Sequence, residues 1–183
     1  MLNIGANKGF NLLEFAQRYT TVDANLTHTQ WYRLLMANGC QSQCCGVCKS
    51  CKLRRIPQQA NVRLSMHAFE LQPSNANMLR RMMVASNLPV AVHSTAVSNI
   101  TGTVYTAGTI KAGAEAHGLV HRARKNDVPQ PVTTVDAFMT GHHIDRAHFV
   151  SIDTEGTRAA HCSSSHMPPS HHNATASETI VAR

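Results

Sequence analysis

Four short stretches of the 183-residue chain carry groups that chemistry could use: Gly5-Ala6-Asn7-Lys8-Gly9, Glu70, the run Ser94 to Ser98, and Asp153-Thr154-Glu155-Gly156. Two glycines four apart, between an apolar run and a helical pattern, let the backbone approach a ligand closely. A helix starting there presents N–H groups that its own ladder does not use. An acidic side chain at a strand end can accept hydrogen bonds from both hydroxyls of a ribose. A carboxylate such as Asp153 can take a proton from a hydroxyl. Each stretch also has a plainer reading: a tight strand-to-helix connection, a solvated strand end, or, for Glu155, a carboxylate satisfying turn amides.

Cysteines make the second pattern. Five of the six fall between positions 40 and 51, as Cys40, Cys44, Cys45, Cys48 and Cys51. Cys40, Cys44, Cys48 and Cys51 could give four thiolates for a structural zinc ion. Disulfides, free thiols and an iron–sulfur cluster fit the same spacing. A second Cys-x-x-Cys about 15 to 20 residues on is missing, so this is not a zinc ribbon.

The elements that must position these groups are legible as periodicity. Met1 to Ile4 reads as a strand and Asn11 to Tyr19 as a helix. Thr29 to Ala37, with Trp31, Leu34 and Leu35 on one stripe, reads as a second helix. Val62 to Phe69 is a strand ending at Glu70, and Ser74 caps a helix to about Ala85. Val90 to Val97 and Thr103 to Thr106 are strands, and 107–131 reads as a long loop. Thr134 to Met139 is a short helix, and Ala147 to Ile152 is a strand ending at Asp153. Strands alternating with helices argue for a parallel α/β sheet, whose ligands sit beyond the carboxyl ends of the strands. All four chemical stretches fall at such ends. Residues 157–183, with three successive serines and two successive prolines, read as a low-complexity, disordered tail.

Asn3-Ile4-Gly5-Ala6-Asn7-Lys8-Gly9 resembles the first motif of the FkbM-type methyltransferases. His67-Ala68-Phe69-Glu70-Leu71-Gln72-Pro73 is similar to their second. Val132 to Phe138, Ile144-Asp145 and Phe149 to Gly156 resemble their closing signature, of which Ile152-Asp153-Thr154-Glu155-Gly156 is the most specific part. The resemblance covers 1–156, with 28–58 read as an inserted helix plus a Cys-rich loop that is looped out of the domain. It implies a Rossmann-like class I methyltransferase fold, here an incomplete parallel sheet with helices on both faces, and S-adenosylmethionine as cofactor. Gly5, Ala6, Asn7 and Gly9 would line the methionine part, Glu70 would hold the ribose, and Ala96 to Ser98 would face the adenine. Asp153, with Glu155 second, would be the catalytic carboxylate near the transferred methyl.

That resemblance implies O-methylation of a small molecule or sugar hydroxyl. The rivals are an inactive fragment of such an enzyme and a metal-stapled interaction module built on the cysteines. Family members continue past the closing signature with a helix and further strands, to which 157–183 bears no likeness. A C-terminally truncated chain, with an unpaired edge beside the strand ending at Asp153 and poor stability, is therefore expected.

Composition bounds the rest. Apolar residues are 43% and charged residues 15%, which leaves room for a core and argues against wholesale disorder. The net charge of +7 is scattered, and aromatics at 5% do not interleave with it, so no nucleic-acid partner is expected. No run approaches the roughly 20 apolar residues of a membrane span, and no signal peptide opens the chain. A cytoplasmic location is the default expectation.

Overall fold

The computed structural model describes residues 1–19, 26–41, 64–107, 111–114, 123–153 and 178–180. The first strand, β1, is Leu2–Ile4, and the glycine turn leads from it into helix α1, Phe10–Tyr19. Helix α2, His28–Ala37, follows. It starts with a reciprocal cap, Thr27 N–H donating to Gln30 Oε1 (2.7 Å) and Gln30 N–H to Thr27 Oγ1 (3.2 Å). Strand β2 is Met66–Phe69, helix α3 Pro73–Ser86 and strand β3 Val90–His93. Pro73 rather than Ser74 opens α3: its fixed φ suits the first helical position and its missing N–H costs nothing there. Asn87 closes the helix in the left-handed conformation (φ 52°).

The expected single strand Val90 to Val97 divides. Ser94 and Thr95 interrupt it, and Ala96–Val97 forms β4 in a second sheet. That sheet has the order β4-β6-β5, with β5 Gly102–Ala107 and β6 Asp127–Thr133. Strand β6 corrects the expected loop over 107–131. Pro129 and Pro131 disguise it, because proline argues against a strand flanked on both sides. Pro131 turns its carbonyl away from β5 to accept from Thr95 Oγ1 (2.8 Å), so its missing N–H takes nothing from the β5 ladder. Helix α4 is Val135–Gly141, capped by Thr134, and β7 is Val150–Ile152.

The main sheet has the order β3-β2-β1-β7-β8, parallel from β3 to β7. From β1 the chain builds outward through β2 to β3, then returns to lay β7 on the other side of β1. The strand order therefore reverses between β1 and β7, where such sheets open a crevice. The expected unpaired edge beside β7 is not seen: Glu178–Ile180 forms β8, antiparallel to it, inside the stretch read as a disordered tail. Glu-Thr-Ile-Val is that tail's only β-favourable run.

Strand residues alternate between two faces. Met66 and Ala68 face a core made by Leu12, Leu13, Phe15, Trp31, Leu35, Met78, Leu79 and Met82, so α1, α2 and α3 share one layer. Leu2, Ile4 and Phe69 face Phe138 of α4 on the other side. Helix α2 is not looped out: Trp31 is fully buried, and its Nε1–H donates to Lys8 O (2.9 Å), beneath the glycine turn.

Candidate functional site

The carboxyl ends of β2, β1 and β7 meet at one edge of the sheet. Gly5 N–H and Ala6 N–H both donate to Phe69 O (3.0 Å each), which ties the turn to β2. Asp153 N–H donates to Ile4 O (2.9 Å), which ties the end of β7 to β1. Glu70 N–H donates to His93 O (3.0 Å) at the end of β3. Three adjacent strand tips at the usual spacing span about 10 Å. Gly5, Glu70 and Asp153 thus share one edge, as their positions in the sequence imply.

The turn is left-handed at Gly5 (φ 79°), Asn7 (φ 42°) and Gly9 (φ 74°). Asparagine tolerates that region better than most residues, so it can stand between the glycines. The two glycines do different work. A Cβ on Gly9 would lie 2.9 Å from Leu79 Cδ2 and 3.1 Å from Trp31 Cζ2, so Gly9 faces the core, not a ligand. Ala6 is likewise buried in the apolar cluster. Of the turn residues expected to line a cofactor, Gly5 and Asn7 remain half-exposed. Leu13 N–H to Gly9 O (3.0 Å) is the first bond of the α1 ladder, so the amides of Phe10, Asn11 and Leu12 lie ahead of it.

Glu70 holds this turn directly. Its Oε2 accepts from Asn7 N–H (2.7 Å) and its Oε1 from Gln72 N–H (2.9 Å). The side chain is only 6% exposed. Burial pushes its pKa above the ordinary value of 4.5, while hydrogen bonds from Gln72, Asn7 and Asn75 pull it down. The two residues whose backbone N–H groups bond it each carry a buried side-chain atom with no partner among the described residues: Asn7 Oδ1, an acceptor, and Gln72 Nε2, a donor. Buried polar atoms are normally bonded.

The remaining expected residues are placed as follows. Asp153 is exposed at the tip of β7, and Glu155 lies outside the described residues. Ala96 is buried with Val104 and Val132 in the small sheet, against which Leu71 packs, so its side chain is spent on that core. Ser98 is exposed and donates its N–H to Thr133 O (3.0 Å). Cys40 is buried in the main apolar cluster, whereas Cys44, Cys48 and Cys51 lie outside the described residues. Among the described residues no three His, Cys, Asp or Glu side chains are set to hold a metal ion. No helix among them is long and apolar enough to cross a membrane.

Sequence reasoning missed Gln72 and Asn75. Asn75 sits on the stripe that continues with Leu79 and Met82, all buried. A polar residue at a core position of a helix was the available signal.

The sheet order, the left-handed turn and the clamped carboxylate define an α/β protein with polar groups gathered where its strand order reverses. The Methyltransferase FkbM domain matches residues 45–157, and the chain belongs to that family. The matched stretch contains Glu70, Asp153 and Glu155; the glycine turn precedes it. No curated protein and no solved structure matches the chain.

Proposed function

We propose that the chain is an S-adenosylmethionine-dependent methyltransferase of the Rossmann-like class I type, acting on a hydroxyl of a small molecule or sugar. The observation that carries this reading is Glu70, a buried carboxylate at the tip of β2 bonded to the backbone of the glycine turn. When bound, the cofactor supplies an electrophilic methyl group on a sulfonium. Glu70 would hold the ribose hydroxyls, and Gly5 with the first amides of α1 would face the methionine end. Each carboxylate oxygen has a second lone pair, so the bonds to Asn7 and Gln72 leave acceptor capacity.

Asp153 is the candidate base: it is exposed at the tip beside β1, where an acceptor hydroxyl could reach it. Holding the acceptor in line supplies much of the rate in such a displacement. Structural zinc at Cys40, Cys44, Cys48 and Cys51 is proposed as a staple, apart from this chemistry.

One rival keeps support, namely an inactive remnant, because both Glu70 oxygens already serve backbone amides. Isothermal titration with S-adenosylhomocysteine separates the two. Binding that is lost in Glu70→Ala supports the methyltransferase; a folded chain that takes up none supports the remnant.

A further inference from the structure

A hollow of about 520 Å³ lies between the outer strand β3 and helix α4, and neither the glycine turn nor Asp153 lines it. Its volume falls within the roughly 300–1,000 Å³ usual for small-molecule sites. The polar wall is Arg80 of α3, His93 with Ser94 and Thr95 just past it, and His142 at the end of α4. Val92, Ala137 and Phe138 make an apolar wall. No Asp or Glu among the described residues lines the hollow; Asp136, the acid of α4, is exposed and takes no part.

Arg80 is held in place without a counter-charge. Its Nε–H donates to Val92 O (3.2 Å) and its Nη1 to Asn77 Oδ1 (2.8 Å), both neutral acceptors. Among the described residues no carboxylate pairs with it. Nη2 is left for a ligand, and the guanidinium fork matches the oxygens of phosphate or carboxylate. The histidines add donors. His67 Nδ1 and His93 Nε2 lie 3.1 Å apart, which leaves Nδ1 as the uncommitted nitrogen of His93. His67 Nε2 lies 2.9 Å from Ser65 Oγ. With the Ser65 hydroxyl donating to His67 and His67 to His93, His93 Nδ1 carries a proton that it can donate. The His142 ring stands 5.4 Å from that of His93, centre to centre. Burial, then repulsion from His67, His142 and Arg80, lowers His93 to about 4, and the Met1 ammonium acts on His67 in the same sense. Cationic groups thus converge here with nothing to neutralise them.

We propose that this hollow binds a phosphate monoester, its phosphoryl oxygens taken by Arg80, His93, His142 and the Ser94 hydroxyl, and its organic part laid against Phe138. Donors from α3, β3 and the end of α4 suit the three oxygens of a phosphoryl group better than the two of a carboxylate. A lone phosphate would leave the apolar wall unused. A dianion offsets the repulsion on His93, so binding raises the His93 midpoint and takes up protons. The site stands apart from the methyltransferase reading, because Glu70 and the glycine turn do not line it.

The test adds phenyl phosphate, inorganic phosphate or benzoate, at constant ionic strength, to the full labelled chain. Nuclear magnetic resonance follows the His93 and His142 rings and the Ser94 and Thr95 amides. Phenyl phosphate is expected to shift all of them saturably, to bind more tightly than the other two, and to raise the His93 midpoint above about 4. Arg80→Gln should weaken it by about tenfold or more, through loss of a charge-assisted bond. Inorganic phosphate binding as tightly as phenyl phosphate would assign the site to the free ion and overturn the ester. Benzoate binding as tightly would overturn the phosphate assignment. Undiminished binding in Arg80→Gln, an unmoved His93 midpoint, or no shifts at all would overturn the site itself. If Arg80→Gln does not fold, His142→Ala, at an exposed position, is read in the same way.

Discussion

The two faces of the main sheet are built from different chemistry. On one, Leu12, Leu13, Trp31, Leu35, Met78, Leu79 and Met82 are all fully buried, and aliphatic side chains dominate around Trp31 and Phe15. On the other, Phe138 of α4 packs ring to ring with Phe69 (centroids 4.6 Å apart), His93 (4.8 Å) and His142 (4.2 Å). His67 Nδ1 and His93 Nε2 lie 3.1 Å apart, so one of the two neutral rings donates to the other. A hollow of about 520 Å³ opens beside them, lined in part by His93, Ser94, Thr95 and His142. The first face is dominated by aliphatic packing and underlies the glycine turn through Trp31 and Gly9. The second holds the same sheet with rings that titrate. The difference separates what sets the fold's stability from what makes it respond to pH.

Truncating the first face should cost most. Trp31→Ala removes a fully buried indole and leaves Lys8 O without its donor, an expected loss of about 3–5 kcal/mol in urea unfolding. A loss below about 1 kcal/mol would mean that α2 does not belong to the core. Phe138→Ala on the second face should cost less, about 2 kcal/mol, because the hollow and the half-exposed histidines already leave that layer open. Equal losses at the two sites would erase the contrast.

Much of the first face was legible in the sequence and little of the second. The helical stripes of Leu12, Leu13 and Phe15, and of Trp31 and Leu35, are long enough for periodicity to speak. Glycine turn, Glu70 and Asp153 were legible because polar residues ending apolar runs are conspicuous. Helix α2 read as an insertion because its burial depends on a turn distant in sequence. Nothing in the sequence pattern marks the histidines, since alternation cannot say what the facing element offers. Prolines hid β6, and the hold of Asn75 on the 111–114 turn stayed invisible because it works through tertiary contacts alone.

Gly9→Ala is expected to cost about 1–3 kcal/mol, from a left-handed φ and a 2.9 Å approach to Leu79 Cδ2. A neutral substitution would show that the turn can shift without disturbing the layer beneath it.

The smallest effects are those of pH, and the histidine face and Glu70 should respond with opposite sign. Burial, with His67, His142 and Arg80 nearby, lowers His93 from 6.5 to about 4, and burial lowers His67 as well. Above about 6.5 these rings are neutral folded or unfolded, and they make no pH-dependent contribution. As pH falls from 6.5 toward 4 the unfolded chain takes up protons first, so stability falls. Glu70 acts the other way: its raised pKa means the folded chain holds a proton longer, so its ionisation costs stability as pH rises above 4.5. Melting temperature followed from pH 7 to pH 4 should drop, and His93→Phe should flatten the drop. An unchanged slope in that variant would assign the acid sensitivity elsewhere.

The central claim is that the crevice at the tips of β2, β1 and β7 holds a nucleoside cofactor through Glu70 and the turn it clamps. Amide spectra of the full labelled chain, recorded while S-adenosylhomocysteine is added, address it most directly. The account predicts saturable shifts at Gly5, Asn7, Glu70 and Gln72. Shifts confined to the histidine face, or none in a folded chain, would contradict it.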